Sequence, residues 1–160
     1  MSDLLIRAAA TGDETVICAI LRELAEYERL ETRFRLTPEI VGRDFLCDSP
    51  GLCCDLAFVG DEAAGIMTSF PTYSSFAAAR GLYLEDFYVR PQNRRRGIGR
   101  RLLAHLAARA LAAGAIRIEW SVLSWNQPSI RFYENMRAER VDEWHIYRLS
   151  GAALVELARS

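Results

Sequence analysis

The stretch "VRPQNRRRGIGRR", Val89 to Arg101, decides how the rest of the chain is read. It holds six arginines and no acid, with two glycines two residues apart at its centre. Upstream lies "GLYLEDFYV", rich in aromatic and leucine residues and strand-like. Downstream, Ile98, Leu102, Leu103, Leu106 and Ala110 recur at helical spacing, which predicts a helix from Gly97 to about Ala113 that ends near Gly114. The loop therefore joins a strand to the start of a helix. There the first backbone N–H groups lack partners and the macrodipole is positive, so an anionic phosphate can be held by main chain alone. Gly97 and Gly99 would let such a ligand come close. The loop has no GxxxxGK[ST] pattern, and "GIGRRL" lacks the third glycine of a dinucleotide fingerprint. Three readings stand: a solvated helix end, a nucleic-acid arm, and a cradle for a pyrophosphate-bearing ligand. Arginines at a helix N-terminus oppose the dipole, and backbone and side chains would both serve an acidic ligand, which favours the cradle.

Outward from the loop, the elements alternate in type. "LLIRAA" reads as a short strand, and Thr11 with Glu14 three residues on has the form of a capping box that starts a helix. Val16, Ile17, Ile20, Leu21 and Leu24 make that helix amphipathic to about Glu28. Thr37 before Pro38 predicts a second helix to about Leu46. "LCCDLAFVG" and "AAGIMTSFPTYSS" flank a turn at Gly60-Asp61-Glu62 and read as a hairpin. After the central helix come the strand "IRIEWSVL", a short helix "QPSIRFYENM", a last strand "RVDEWHIYRL" over 140–149, and a tail "SGAALVELA" able to add a helical turn or two. A meander plus one strand-helix-strand crossover gives an α/β mixed sheet with helices on its faces.

The bulk numbers narrow the function. A length of 160 residues suits one domain, residues 1–160, with a core that needs no disulfide or metal. Twenty basic residues against twenty-one acidic ones give a net charge of −1, which argues against nucleic acid as a partner. The N-terminus carries charges where a secretion signal needs apolar residues, and no apolar run approaches the roughly 20 residues that span a bilayer, so no membrane partner and a cytoplasmic location are expected. Cys18, Cys47, Cys53 and Cys54 have no CxxC spacing, and His105 and His145 are distant in sequence, so free thiols and no metal site are expected.

"RRRGIG", Arg94 to Gly99, fits the Q/R-x-x-G-x-G/A signature of the GNAT superfamily of acyl-CoA-dependent N-acyltransferases, and its setting between strand and helix, with "WNQPSIRFYENM" downstream, is similar to that family's order. More narrowly, "ELAEYERLE", "LYLEDFYV" and "WNQPSIRFY" resemble the diamine (spermidine/spermine) N-acetyltransferases, over almost the whole chain. The resemblance implies a twisted mixed sheet whose fourth and fifth strands splay apart around the pantetheine arm of acetyl-CoA. It implies that the main chain of Phe87, Tyr88 and Val89 holds that arm, that the backbone amides of Arg95, Arg96, Gly97, Ile98, Gly99 and Arg100 take the pyrophosphate, that Arg94 also binds the cofactor, and that Asn126 and Ser129 lie along it. Tyr133 matches the tyrosine placed to protonate the departing thiolate, and Glu85 the acid that receives the amine's proton. Tyr27, Glu28, Glu85 and Asp86 match positions lining the amine site. A homodimer is implied as well. Two departures stand out: Arg95 and Arg137 occupy positions where glycine is common in the family.

The residue types suit this chemistry. An alkyl ammonium has a pKa near 10.4, so about one molecule in 10³ is the nucleophilic free base at neutral pH, and carboxylates can bind the cation and take its proton. Adjacent Glu85 and Asp86 would face opposite ways on a regular strand; a bulge would turn both to one side. The expected activity is direct transfer of an acetyl group to a primary amine of a polyamine-like or lysine-like substrate. The alternatives are another amine (amino acid, antibiotic or protein N-terminus) and an acyl-CoA-binding module without turnover.

Overall fold

The computed structural model describes residues 4–160. It divides into two compact units, one ending at Ser121 and one running from Val122 to Ser160. The first contains β1 (Leu4–Ala8), α1 (Glu14–Tyr27), α2 (Pro38–Asp44), β2 (Cys53–Val59), β3 (Glu62–Ser74), β4 (Ala79–Val89), α3 (Ile98–Ala112) and β5 (Ala115–Glu119). The strands form one sheet in sequence order, β1 to β4 antiparallel and β5 parallel to β4. The parallel step is the crossover through α3, which carries the chain back along the sheet before β5 begins. The mixed α/β architecture expected from the element order is present.

Strand alternation sorts the core into two faces. Leu56, Ile66 and Tyr88 pack with Ile17, Ile20 and Leu24 of α1 and Val41 of α2. Their strand neighbours Ala57, Met67 and Leu84 pack with Leu102, Leu106 and Ala110 of α3. Helix α3 comes close to the sheet because residue 65 is glycine: a Cβ there would sit 2.9 Å from the Tyr88 carbonyl oxygen and 3.3 Å from Leu102.

Two local expectations in this unit are corrected and one holds. Thr11 does not cap α1. Asp13 is the residue before the helix, its carboxylate engaged by Arg7 at 2.6 Å and by the Ala10 N–H at 2.8 Å, while Glu14 accepts from the Gly12 N–H. The ion pair with β1 thus fixes the entry to α1 and moves the start past Thr11. At α2 the expected cap holds, with Thr37 accepting from the Ile40 N–H. Strand β5 ends at Glu119, short of the expected 123.

The second unit holds α4 (Gln127–Glu134) and α5 (Gly151–Ala158). The strand expected over 140–149 does not form; the segment has no regular structure and exposes Trp144, Ile146 and Tyr147. A strand needs a neighbour to complete its backbone hydrogen bonds, and among the described residues this unit contains no other strand. The terminal helix expected in "SGAALVELA" is present as α5.

Candidate active site

The decisive feature is an irregularity in β4. Thr68 of β3 faces Asp86, but the next residue, Ser69, faces Leu84, so Glu85 is an extra residue in β4. The consequence shows in the core: Leu82 and Leu84 lie on the α3 face, and so do Phe87 and Val89, with Tyr88 on the α1 face. A step of three instead of two between Leu84 and Phe87 means that the alternation reverses across the bulge. Glu85 and Asp86, adjacent in sequence, are thereby both turned toward the face that carries α1. Glu85 is exposed and Asp86 half-buried. The Thr68 hydroxyl, fully buried, donates to Asp86 Oδ2 at 2.5 Å and accepts from the Asp86 N–H at 3.1 Å, which locks the bulge.

A third carboxyl joins them from α1. That helix ends at Tyr27, and Arg29 takes a left-handed φ of 61°, with the Leu30 N–H bonded to the Ala25 carbonyl and the Arg29 N–H to that of Glu26. This is a Schellman stop, and it leaves Glu28 half-buried at the helix end. Burial pushes the Glu28 carboxyl above its usual range, and the charge of Asp86 pushes it further; burial likewise raises Asp86, against the lowering effect of the Thr68 hydroxyl. Carboxyls that oppose one another's ionisation accommodate a cation well.

Beside them Tyr27 and Tyr88 pack with ring centroids 6.2 Å apart, and the Arg94 guanidinium lies 5.0 Å from the first ring and 5.3 Å from the second. Arg94 also donates to the Val89 carbonyl oxygen at 2.8 Å, and Arg96 to the buried Asn93 side chain at 2.9 Å. The side chains of Arg94 and Arg96 therefore hold the loop's own shape. Arg95 and Arg100 are exposed. Arg95 has φ 60° and Gly97 φ 78°, so the loop takes two left-handed steps on either side of Arg96. Helix α3 follows with no side-chain cap, so the N–H groups of its first turn, Ile98 to Arg100, have no partner within the helix.

Next to this loop the sheet opens. Pairing between β4 and β5 runs from Arg80 to Tyr83, while β4 continues through Phe87 and Tyr88 to Val89. Strand β4 thus runs on past the end of β5, whose last residue, Glu119, pairs with Tyr83.

In the second unit Asn126 is buried and caps α4, accepting from the Ser129 N–H at 3.3 Å. Tyr133 is half-buried, with the Phe132 ring 5.5 Å away. Helix α4 stops in a second Schellman turn, Ala138 N–H to Tyr133 and Arg137 N–H to Glu134, with Arg137 at φ 65°. The sequence reading assigns Tyr27, Glu28, Glu85 and Asp86 to the amine site; of these, the structure brings Glu28 within electrostatic reach of Asp86 and sets Tyr27 against Tyr88. That reading misses Thr68 and the clamp formed by Arg94, because a buried hydroxyl in a strand and one arginine among six carry no signal until the pairing is known.

Comparison with known proteins agrees. Residues 17–137 match the model of the acetyltransferase (GNAT) family. The chain is 33% identical over 168 residues to a thialysine N-epsilon-acetyltransferase of Sus scrofa, covering 99% of both chains. It is 31% identical over 163 residues to a human spermidine/spermine N(1)-acetyltransferase-like protein, covering 96% of this chain and 23% of that one. An integron cassette protein from the mobile metagenome of V. cholerae superposes over the full length with a TM-score of 0.84 at 24% identity, which speaks to the fold. With a family match running through the strand, loop and helix described above, and a relative of this identity along its whole length, the chain belongs to the GNAT acetyltransferase family.

Proposed function

We propose that the chain is an acetyl-CoA-dependent N-acetyltransferase for a primary amine on a small cationic substrate, polyamine-like or lysine-like. The observation that carries this reading is the β4 bulge, which turns Glu85 and Asp86 to the face where Glu28 ends α1. The thialysine acetyltransferase relatives support the lysine-like choice.

The left-handed residues Arg95 and Gly97 and the uncapped start of α3 suit the pyrophosphate, and the main chain of Phe87, Tyr88 and Val89 beyond the last β5 pairing suits the pantetheine arm. Asn126 and Ser129 are assigned to the cofactor by the resemblance. Glu28 and Asp86 bind the ammonium group, and Tyr27 forms a wall. Glu85, the exposed one of the three, takes a proton from the ammonium group and so frees the nitrogen lone pair, which then attacks the thioester carbon. The carbon–sulfur bond breaks with its electron pair on sulfur, and Tyr133 donates a proton to that thiolate. We take residues 1–160 as a single functional domain, since the family match crosses from the first unit into the second.

We further infer a homodimer, supported by the exposed apolar segment from Val141 to Leu157. A cytoplasmic setting suits acetyl-CoA, and among the described residues no helix is long and apolar enough to cross a membrane.

Radiolabelled acetyl-CoA with spermidine, putrescine, thialysine and lysine tests the reading; thiol reagents would also titrate the exposed Cys47 and Cys53. Label should move to one of these amines, and Glu85→Gln should lower turnover by about 10²-fold or more. Transfer to none of them, or a Glu85→Gln loss below about tenfold, would count against the amine class or the base respectively.

A further inference from the structure

On the opposite face of the sheet from the three carboxyls lies a partly buried polar network that the proposed mechanism does not use. Asp55 of β2 and Ser69 of β3 are each 1% exposed. Arg109 of α3 bridges them, with one guanidinium nitrogen 2.6 Å from Asp55 Oδ2 and the other 2.6 Å from Ser69 Oγ. His105, one turn earlier on α3, brings Nε2 to 3.5 Å from the other Asp55 oxygen. Charges withdrawn from water are costly, and an apolar trio of similar volume would hold the helix to the sheet at least as well.

The position of Ser69 gives the network its meaning. The register of β3 against β4 breaks between Thr68 and Ser69. Thr68 points to the α1 face and holds Asp86 by two hydrogen bonds; Ser69 points to the α3 face and is held by Arg109. The two residues opposite the bulge are therefore each tied down, one from either side of the sheet. A bulge is a place where pairing can slip by one residue, and a slip here would return Glu85 and Asp86 to opposite faces.

We propose that Arg109, braced by Asp55, is a positioning residue for the amine site: its bond to Ser69 fixes the register that presents Glu85 and Asp86 together. This rests on the reading of those two carboxyls as the amine site. The forked guanidinium suits the task because it spans a carboxylate and a hydroxyl at once, which a single ammonium group cannot do in the same geometry.

Two variants test it, in the full chain and with the acetyl transfer assay. Arg109→Lys keeps the charge that buried Asp55 needs but gives up the fork. Ser69→Ala keeps the ion pair and removes only the link to the bulge, so it answers the question even if the lysine variant folds poorly. Both should lower kcat/KM for the amine about tenfold or more, as small displacements of reacting groups do, while KM for acetyl-CoA stays within about twofold. A role in stability alone would lower the melting temperature and leave the kinetics of the folded enzyme unchanged. Amine kcat/KM within twofold of the parent for Ser69→Ala overturns the proposal. Glu85→Gln measured alongside separates the two failures: if it loses activity while Ser69→Ala does not, the brace is wrong and the amine site stands; if neither loses activity, the site assignment has failed and the brace with it.

Discussion

At Asp86 function and stability pull in opposite directions. Burial raises its pKa in the folded state, so the folded protein holds this proton more tightly than the unfolded chain. Stability from this group is therefore full below the ordinary carboxylate value, about 4, and is lost as pH rises through the raised folded value. Glu28 shifts the same way, from burial first and the charge of Asp86 second. The ionised form of either group is held in the protein at a cost that a bound cation would offset. Asp86→Asn, whose amide oxygen can still accept from Thr68, should raise the melting temperature at pH 7 and show a smaller gain near pH 4. It should also weaken amine binding. Melting curves at the two pH values check the first part, and a gain that is equal at both would sink the electrostatic account. A cationic substrate should stabilise the parent against heat more than it stabilises Asp86→Asn, because binding to the folded state alone adds stability by mass action.

Among the elements, the two positions that the family resemblance marks as departures are left-handed: Arg95 at φ 60° in the loop before α3 and Arg137 at φ 65° after α4. A side chain in that region costs roughly 1–2 kcal/mol, and glycine would remove the cost while giving back some of it as freedom in the unfolded chain. Arg137→Gly should therefore stabilise the protein by about 0.5–1 kcal/mol, read from urea denaturation, since Arg137 is exposed and its backbone makes the Schellman bonds with either residue. Arg95→Gly should give a similar gain but also remove a charge from the loop. If that charge faces the pyrophosphate, KM for acetyl-CoA should rise by up to about fivefold, the equivalent of 1 kcal/mol for an exposed ionic contact. An unchanged KM would assign phosphate binding to the main chain alone. The family resemblance marked both positions as departures, and glycine is the residue that takes a left-handed φ at no steric cost. The sequence could not mark Thr68 or Ser69, whose roles depend on a register between strands eighteen and fifteen residues from their partners Asp86 and Leu84. Nor could local pattern show that Arg7 would take Asp13 and shift the start of α1 past Thr11.

For the whole molecule, the first unit was legible because each element's apolar period matched the face it buries. Ile17, Ile20 and Leu24 recur at helical spacing and are buried together, and Leu56 and Ala57 alternate onto the two sides of the sheet. The same logic applied to "RVDEWHIYRL" called for a strand, and the chain does not make one there. The apolar residues remain: Tyr147 is 91% exposed, Trp144 and Ile146 are each 77%, and Leu154 and Leu157 of α5 are 52% and 63%. Scattered exposed apolar groups are ordinary, but this many within one short segment mark a surface that is covered by something. A second copy is the partner that needs no further component, and a strand-forming sequence without a partner strand in its own unit has backbone groups to offer it. We therefore expect the protein to sediment as a dimer at micromolar concentration. The double variant Trp144→Ser/Ile146→Ser should move it toward monomer, with the first unit's thermal transition little changed, because neither side chain belongs to that unit's core. If the parent sediments as a monomer, the segment is not a dimer surface. If the double variant stays dimeric, the contact lies elsewhere, and the exposed Trp144 and Ile146 are left to a different partner.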